Sequence, residues 1–272
     1  MVRALWTAAT GMIGQQNNVD TIANNLANVN TVGYKTEVNE FKSLLYQEIQ
    51  TRTTSANGET KPVGAQVGLG TRNAAITSQF TQGSFQASES SSAFAINGDG
   101  FFAVQTAQGV RYTRNGNFVF AIGTNGNLTL TSTDGNPVLN SQGNPITLPA
   151  NYVSSKVGIN ANGQLTYPDA NNNAQPIANM NIGLWQFQNP SGLEKEGDTL
   201  YNVTAASGAA MNEYTNANLQ RSEIRQGYLE GSNVQVADEM VNLIIAQRAY
   251  EMNSKAITTA DTMMQEANEL KR

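Results

Sequence analysis

Apolar residues recur with two different periods along this chain, and the change of period divides it. Near the start, Leu5, Met12, Val19 and Leu26 are spaced by seven, and Ala8, Gln15, Ile22 and Val29 form a second row three positions later. A paired heptad row predicts a helix that lies along another helix. Its far side carries Thr7, Thr10, Asn17, Asn18, Thr21, Asn24, Asn25 and Asn28, and only Arg3 and Asp20 are charged before Lys35. Asn and Thr are poor helix formers, and the usual Lys/Glu pairs are missing. The pattern predicts a helix that is weak alone and packed on several sides by neighbours. Asn30 or Gly33 can take the left-handed conformation that ends it.

The last forty residues repeat the design. Val236, Leu243, Tyr250, Ile257 and Met264 are spaced by seven, with Ala246, Ala260 and Ala267 three positions after members of that row and Asn253 interrupting it. Met240, Ile244 and Met263 widen the stripe. No Pro or Gly follows Gly231, so a helix of about 35 residues, roughly 50 Å, is allowed. Ser232 or Asn233 is the expected N-cap, and Asp238 and Glu239 sit near the positive end of the helix dipole, with Lys271 and Arg272 at the other.

Between the two, the period falls to two. Tyr34 to Gln50 reads as a short helix or an extended arm, and Thr51 to Pro62 as a long exposed excursion rich in Thr, Ser, Asn and Gly. From Val63 short alternating runs follow, separated by Asn97-Gly98, Asp99-Gly100, Asn115-Gly116, Asn125-Gly126, Asp134-Gly135 and Asn162-Gly163. These are hairpin dipeptides, and their spacing predicts an antiparallel sandwich or irregular barrel. Glu194 to Asp198 and Met211 to Gln220 read as loops. The fold class is α+β: a discontinuous, coiled-coil-like domain of both terminal helices with an inserted, mainly antiparallel β domain. The expected boundaries are 1–33 with 232–272 for the helices, 34–79 with 220–231 for a connecting region that includes the 46–63 excursion, and 80–219 for the β domain.

Composition sharpens this. Charged residues are 14% of the 272 positions and net charge is −5, so polar uncharged surface takes the place of charge and no basic field is present for a nucleic acid. There is no Cys and no His, which removes disulfides, imidazole acid–base chemistry and the usual zinc sites. No apolar run approaches a membrane span, and nothing calls for a cofactor. Arg3 with Ala4 to Gly14 is a faint signal-peptide pattern, broken by Thr7, Thr10 and Gly11, so export with an intact N-terminus is the expectation.

Chemical readings are weak. Asn97 to Gly100 lacks most ligands of a calcium loop and reads as a turn. Glu194, Glu196 and Asp198 offer carboxylates for a cell-wall hydrolase, but only Trp185 and Phe187 resemble a cleft wall, and a solvated loop is the better reading. A surface adhesin with a helical stalk is the other class weighed. It predicts a cleaved signal or an anchor, and neither pattern is found.

Ala23 to Lys35, reading Ala-Asn-Asn-Leu-Ala-Asn-Val-Asn-Thr-Val-Gly-Tyr-Lys, resembles the N-terminal signature of bacterial flagellar rod and hook proteins. Ser232-Asn-Val234, Glu239-Met-Val241, Ala246 to Glu251 and Asn253-Ser-Lys255 resemble the matching C-terminal signature. Ile96 to Phe102, Tyr112-Thr-Arg114, Gly192-Leu193 and Leu200-Tyr201 fit the same family. Length and the Tyr46 to Val63 excursion are most similar to its distal rod branch, with hook or proximal rod as the alternative. The resemblance implies a structural subunit, not an enzyme. Such subunits pass the flagellar export apparatus and polymerise with copies of themselves into a hollow helical shaft outside the cytoplasmic membrane, where the shaft carries torque and conducts exported chains. Proximal rod proteins and the hook protein are the implied neighbours, and ring bushing proteins stay open as a further partner. The implied polymerisation residues are Leu5, Met12, Val19, Ile22, Asn24, Asn25, Leu26, Asn28, Val236, Leu243, Tyr250, Ile257 and Met264. The excursion residues Tyr46, Gln47, Pro62 and Val63 are implied to stiffen the shaft.

Overall fold

The structure is a computed structural model that describes residues 2–50, 64–123, 126–160, 162–169 and 173–270. The chain falls into two compact units. One comprises Met1–Ala27, Glu37–Thr77 and Gln235–Arg272; the other comprises Asn28–Thr36 and Ser78–Val234. The residues expected to form a connecting region, 34–79, therefore contribute to both.

The first unit is built on helix α1 (Val2–Ala27) and helix α2 (Val236–Glu269). Their contacts run in opposite order along the two helices. Asn25 meets Glu239, and a Cβ placed on Gly11 would lie 2.9 Å from Asn253 Nδ2. The heptad rows face each other: Ala8 and Ile22 on α1 and Ala246 and Ala260 on α2 are buried, and Leu5, Met12, Val19, Leu243 and Ile257 are half-buried. The small residues set the close approach, as a heptad row of Ala opposite larger side chains should.

Residues 34–50 are extended, not helical. Glu37–Ser43 pairs with Thr71–Ser78. Tyr46–Gln50 pairs antiparallel with Ala65–Gly68, in the register Tyr46↔Gly68 and Gln47↔Val67. Gly14 of α1 makes room for strand Glu37–Ser43: a Cβ there would lie 3.0 Å from the Phe41 ring. Most of the predicted excursion, 51–63, lies outside the described residues.

Two helix-end expectations need correction. α1 stops at Ala27, and Gly33, at φ +72°, is a left-handed residue in a later turn. A Cβ there would lie 2.6 Å from the Asn115 nitrogen, so glycine is required by space as well as by conformation. The N-cap position of α2 is Gln235, with no side-chain cap bond. Asn233 is engaged elsewhere, accepting from Thr36 N at 2.7 Å and Thr36 Oγ1 at 2.8 Å and donating to Thr81 Oγ1 at 2.7 Å.

The second unit is mainly antiparallel β. Its largest sheet has the strand order Glu194–Gly197, Leu200–Asn202, Gly109–Thr113, Phe101–Thr106, Leu184–Gln186, Met211–Asn212. Strand Phe101–Thr106 is central and buried on both faces. Phe102 and Val104 enter a core with Phe94, Phe118, Leu130, Ile146 and Leu165. Phe101 and Ala103 enter another with Tyr112, Trp185, Phe187 and Tyr201. The alternation follows from the period of a strand. In the second core the rings meet edge to face, Tyr112 on Phe187 at 4.9 Å and Phe101 on Phe187 at 5.4 Å. Burial pushes the Tyr112 phenol above its usual 10.0.

The turn dipeptides divide by role. Asn162-Gly163 closes a hairpin in which Ile159 faces Leu165, and Gly163 has φ +78°. Gly126, at φ +75°, stands in the turn that brings Ile122 opposite Leu128. Asn97-Gly98 and Asp99-Gly100 instead carry the chain between different sheets. The hairpin that follows turns at Ala107-Gln108, which carries no such signal.

Candidate functional site

The helical unit is where most of the residues singled out by sequence lie, and their surroundings differ sharply. Ile22 and Asn25 are buried within the unit itself, and Asn25 is 1% exposed. Its Nδ2 donates to the Glu37 carbonyl at 2.8 Å and to Glu239 Oε2 at 3.3 Å, and its Oδ1 accepts from Glu37 N at 2.9 Å. One amide thus ties α1 to strand Glu37–Ser43 and to the first turn of α2. Ile22 and Asn25 are packed within the chain itself. Leu5, Met12, Val19, Leu26, Leu243, Ile257 and Met264 are half-buried in or beside the seam. Val236, Tyr250 and Asn24 are exposed, and Asn28 is half-buried in the β-rich unit.

Two apolar features lie off the heptad rows, the first including Met240 and Ile244, which the sequence already reads as widening the stripe of α2. On α2, Met240, Val241, Ile244, Ile245 and Met252 form a second stripe outside the seam, from 54% exposed at Met240 to 65% at Met252. On α1, Trp6 and Ile13 project outward, at 68% and 61%. The signal for both was present as apolar residues at spacings of four and seven off the a and d positions. Beside the seam, Val19 and Tyr250 line a groove with Gln16, Gln247 and Glu251. A stripe of this length on a helix whose inner face is already filled is a candidate association surface.

A third exposed feature is the ribbon. Leu45, Tyr46 and Ile49 are 82%, 62% and 59% exposed, and Gln47 lies outward with them. Its root is fastened to the helical unit: Leu44 N donates to the Gly70 carbonyl at 2.9 Å, and Thr71 N to Thr10 Oγ1 at 3.4 Å. A two-stranded ribbon bare on both faces has little stability of its own. The other two predicted excursion residues, Pro62 and Val63, lie outside the described residues.

The acidic run weighed as a hydrolase site is a hairpin, not a loop. Glu194–Gly197 pairs with Leu200–Asn202, turning at Asp198 and Thr199, both at positive φ. Glu196 is ion-paired to Arg111, and Glu194 accepts from Asn202 at 3.4 Å. The carboxylates are spread along an exposed strand. Among the described residues, no helix is long and apolar enough to cross a membrane.

Comparison with known proteins bears on all of these features. Three family profiles match: flagellar basal body rod protein over residues 5–35, flagellar hook protein FlgE/F/G D1 domain over 95–167, and flagellar basal body rod FlgEFG protein C-terminal over 225–270. The chain is 43% identical to the flagellar basal-body rod protein FlgG of Borreliella burgdorferi, with all of both chains aligned. It is 39% identical to the FlgG of Buchnera aphidicola from Schizaphis graminum, over 99% of this chain and all of that one, and 35% to that of Bacillus subtilis over the full length of both. Full-length identity at this level, with the profiles falling on the two helices and the β-rich unit between them, makes this chain a member of the flagellar basal-body rod protein family.

Proposed function

We propose that this chain is a structural subunit of the distal rod of the flagellar basal body. It polymerises with copies of itself into a hollow helical shaft that carries torque to the hook and conducts exported subunits. Its neighbours along the axis are proximal rod proteins and the hook protein, and it reaches its place through the flagellar export apparatus. The full-length similarity to proteins named for the rod supports this reading. The observation that carries it is the second apolar stripe on α2. The a/d seam of α2 is already occupied by α1, so Val241, Ile244, Ile245 and Met252 have no intrachain reason to be apolar. Burying one such side chain against another copy is worth about 1.5–3 kcal/mol, and a helical polymer repeats that gain in every subunit. The half-buried seam residues, Tyr250 and Trp6 offer further contacts to neighbouring copies. The ribbon bearing Leu45, Tyr46, Gln47 and Ile49 is the lateral contact that keeps the shaft straight. The work of the chain is mechanical, and the hairpin carboxylates Glu194 and Glu196 serve no catalysis.

The test is assembly of purified full-length protein followed by electron microscopy, together with swimming of cells that carry the same substitution. Ile245→Glu abolishes tubes and swimming while circular dichroism of the dilute protein stays as in the parent. The pair Leu45→Ser and Ile49→Ser leaves tubes that bend. Unchanged tubes with Ile245→Glu would remove the basis for this interface.

A further inference from the structure

Three stretches far apart in sequence meet inside the β-rich unit, and the shaft-building surface does not use them. Lys35 Nζ donates to Glu230 Oε1 at 2.7 Å and to the Thr81 carbonyl at 2.7 Å. Arg114 donates to the Gly98 carbonyl at 2.8 Å and reaches Glu230 Oε2 at 3.4 Å. Gly83 N donates to Glu230 Oε1 at 3.0 Å. The Lys35 and Glu230 side chains are wholly enclosed, and Arg114 is 2% exposed. Two cations therefore share one carboxylate, and the buried Arg114 Nε has no partner among the described residues. Desolvation lowers the pKa of both Lys35 and Arg114 against the pull of Glu230. Arg114 also feels Asp99 and Glu213, whereas among the described residues Glu230 is the carboxylate that acts on Lys35.

The same short stretch holds the segment that carries Lys35. Gly33 N donates to the Glu230 carbonyl at 2.8 Å, and Thr36 N to Asn233 Oδ1 at 2.7 Å. Asn28–Thr36 is thus anchored largely by residues about 200 positions later.

We propose that Glu230 is a closing latch: Asn28–Thr36 docks onto the β-rich unit only once residues 230–233 are in place, so the first part of this unit to be made is the last to be fixed. The reason is electrostatic. Docking Lys35 before Glu230 arrives would bury its ammonium beside the like charge of Arg114 and without the carboxylate it pairs with, which is strongly unfavourable. A chain made from its N-terminus therefore keeps the segment after α1 loose until nearly all of it has emerged.

Hydrogen exchange of the full chain, read by mass spectrometry, tests this with Glu230→Gln, which keeps the shape and an oxygen for Gly83 N but removes the charge. Exchange at Gly33, Thr36 and Gly83 rises at least tenfold, trypsin begins to cut after Lys35, and amides of Phe101–Thr106 stay protected. Adding Lys35→Met to Glu230→Gln restores most of the lost protection. In refolding of the unmodified chain with pulsed labelling, Gly33, Thr36 and Gly83 gain protection after Phe101–Thr106, a readout that does not depend on any variant folding. Protection lost evenly across the unit, no change at the three reporters, no rescue by Lys35→Met, or protection at the reporters before the central strand would each overturn the latch.

Discussion

Strand Phe101–Thr106 and helix α2 are both apolar segments, and they end in opposite circumstances. The strand sends Phe102 and Val104 into one core and Phe101 and Ala103 into another, and all four are fully enclosed. The helix fills one seam with Leu243, Ala246, Ile257 and Ala260 and leaves Val241, Ile244, Ile245 and Met252 in water. The strand's apolar residues are spent within its own unit. Those of the helix exceed what its own unit can cover. Composition alone does not separate these cases; what separates them is how many faces the chain itself can cover.

Three substitutions sharpen the contrast by their cost to the isolated chain. Phe102→Ala should cost most, about 3–5 kcal/mol of the stability of the β-rich unit, since it empties a site packed on Phe118 at 5.0 Å. Denaturant unfolding followed by tryptophan emission from the neighbouring core measures it, and a loss below about 1 kcal/mol would mean that this core is loose. Asn25→Ala is next, at about 1–3 kcal/mol, because it removes the bonds to Glu37 and Glu239 and leaves buried groups without them. It should appear in the helical signal at 222 nm and spare the β-rich unit; a loss confined to the β-rich unit would contradict the clasp. Tyr112→Phe has the smallest effect, and it depends on pH. Burial raises the phenol pKa of the folded state above 10.0, so the stability gained by keeping the phenol protonated is present below pH 10 and lost as pH rises through the raised value. The variant should therefore lose less stability than the parent between pH 9.5 and 11.5, in urea titrations run side by side. Equal losses would show that Tyr112 does not govern the alkaline decline.

The helices were legible because a period of seven survives any context, and the pattern of Leu5, Met12, Val19 and Leu26 depends on no distant partner. The α+β class and the antiparallel middle were legible for the same reason. What was hidden depended on partners remote in sequence. Asn233 reads as a cap from its neighbours, yet Thr36 and Thr81 claim it. Asn25 reads as one more exposed polar residue, yet Glu239 lies 214 positions away and completes its burial. The carboxylate between Lys35 and Arg114 could not be paired by any local rule. The turn at Asp198-Thr199 was hidden because its residues adopt left-handed backbone without glycine.

The two helices differ in length as well as in covering. With Asn25 level with Glu239 and Gly11 level with Asn253, paired residue numbers add to 264, so α1 runs out near residue 262 of α2. Beyond that point α2 continues to Glu269 as an overhang of about 10 Å at 1.5 Å per residue. Two turns of unaccompanied helix do not hold their shape in water. The last two turns of α2 therefore borrow their rigidity from whatever packs against them.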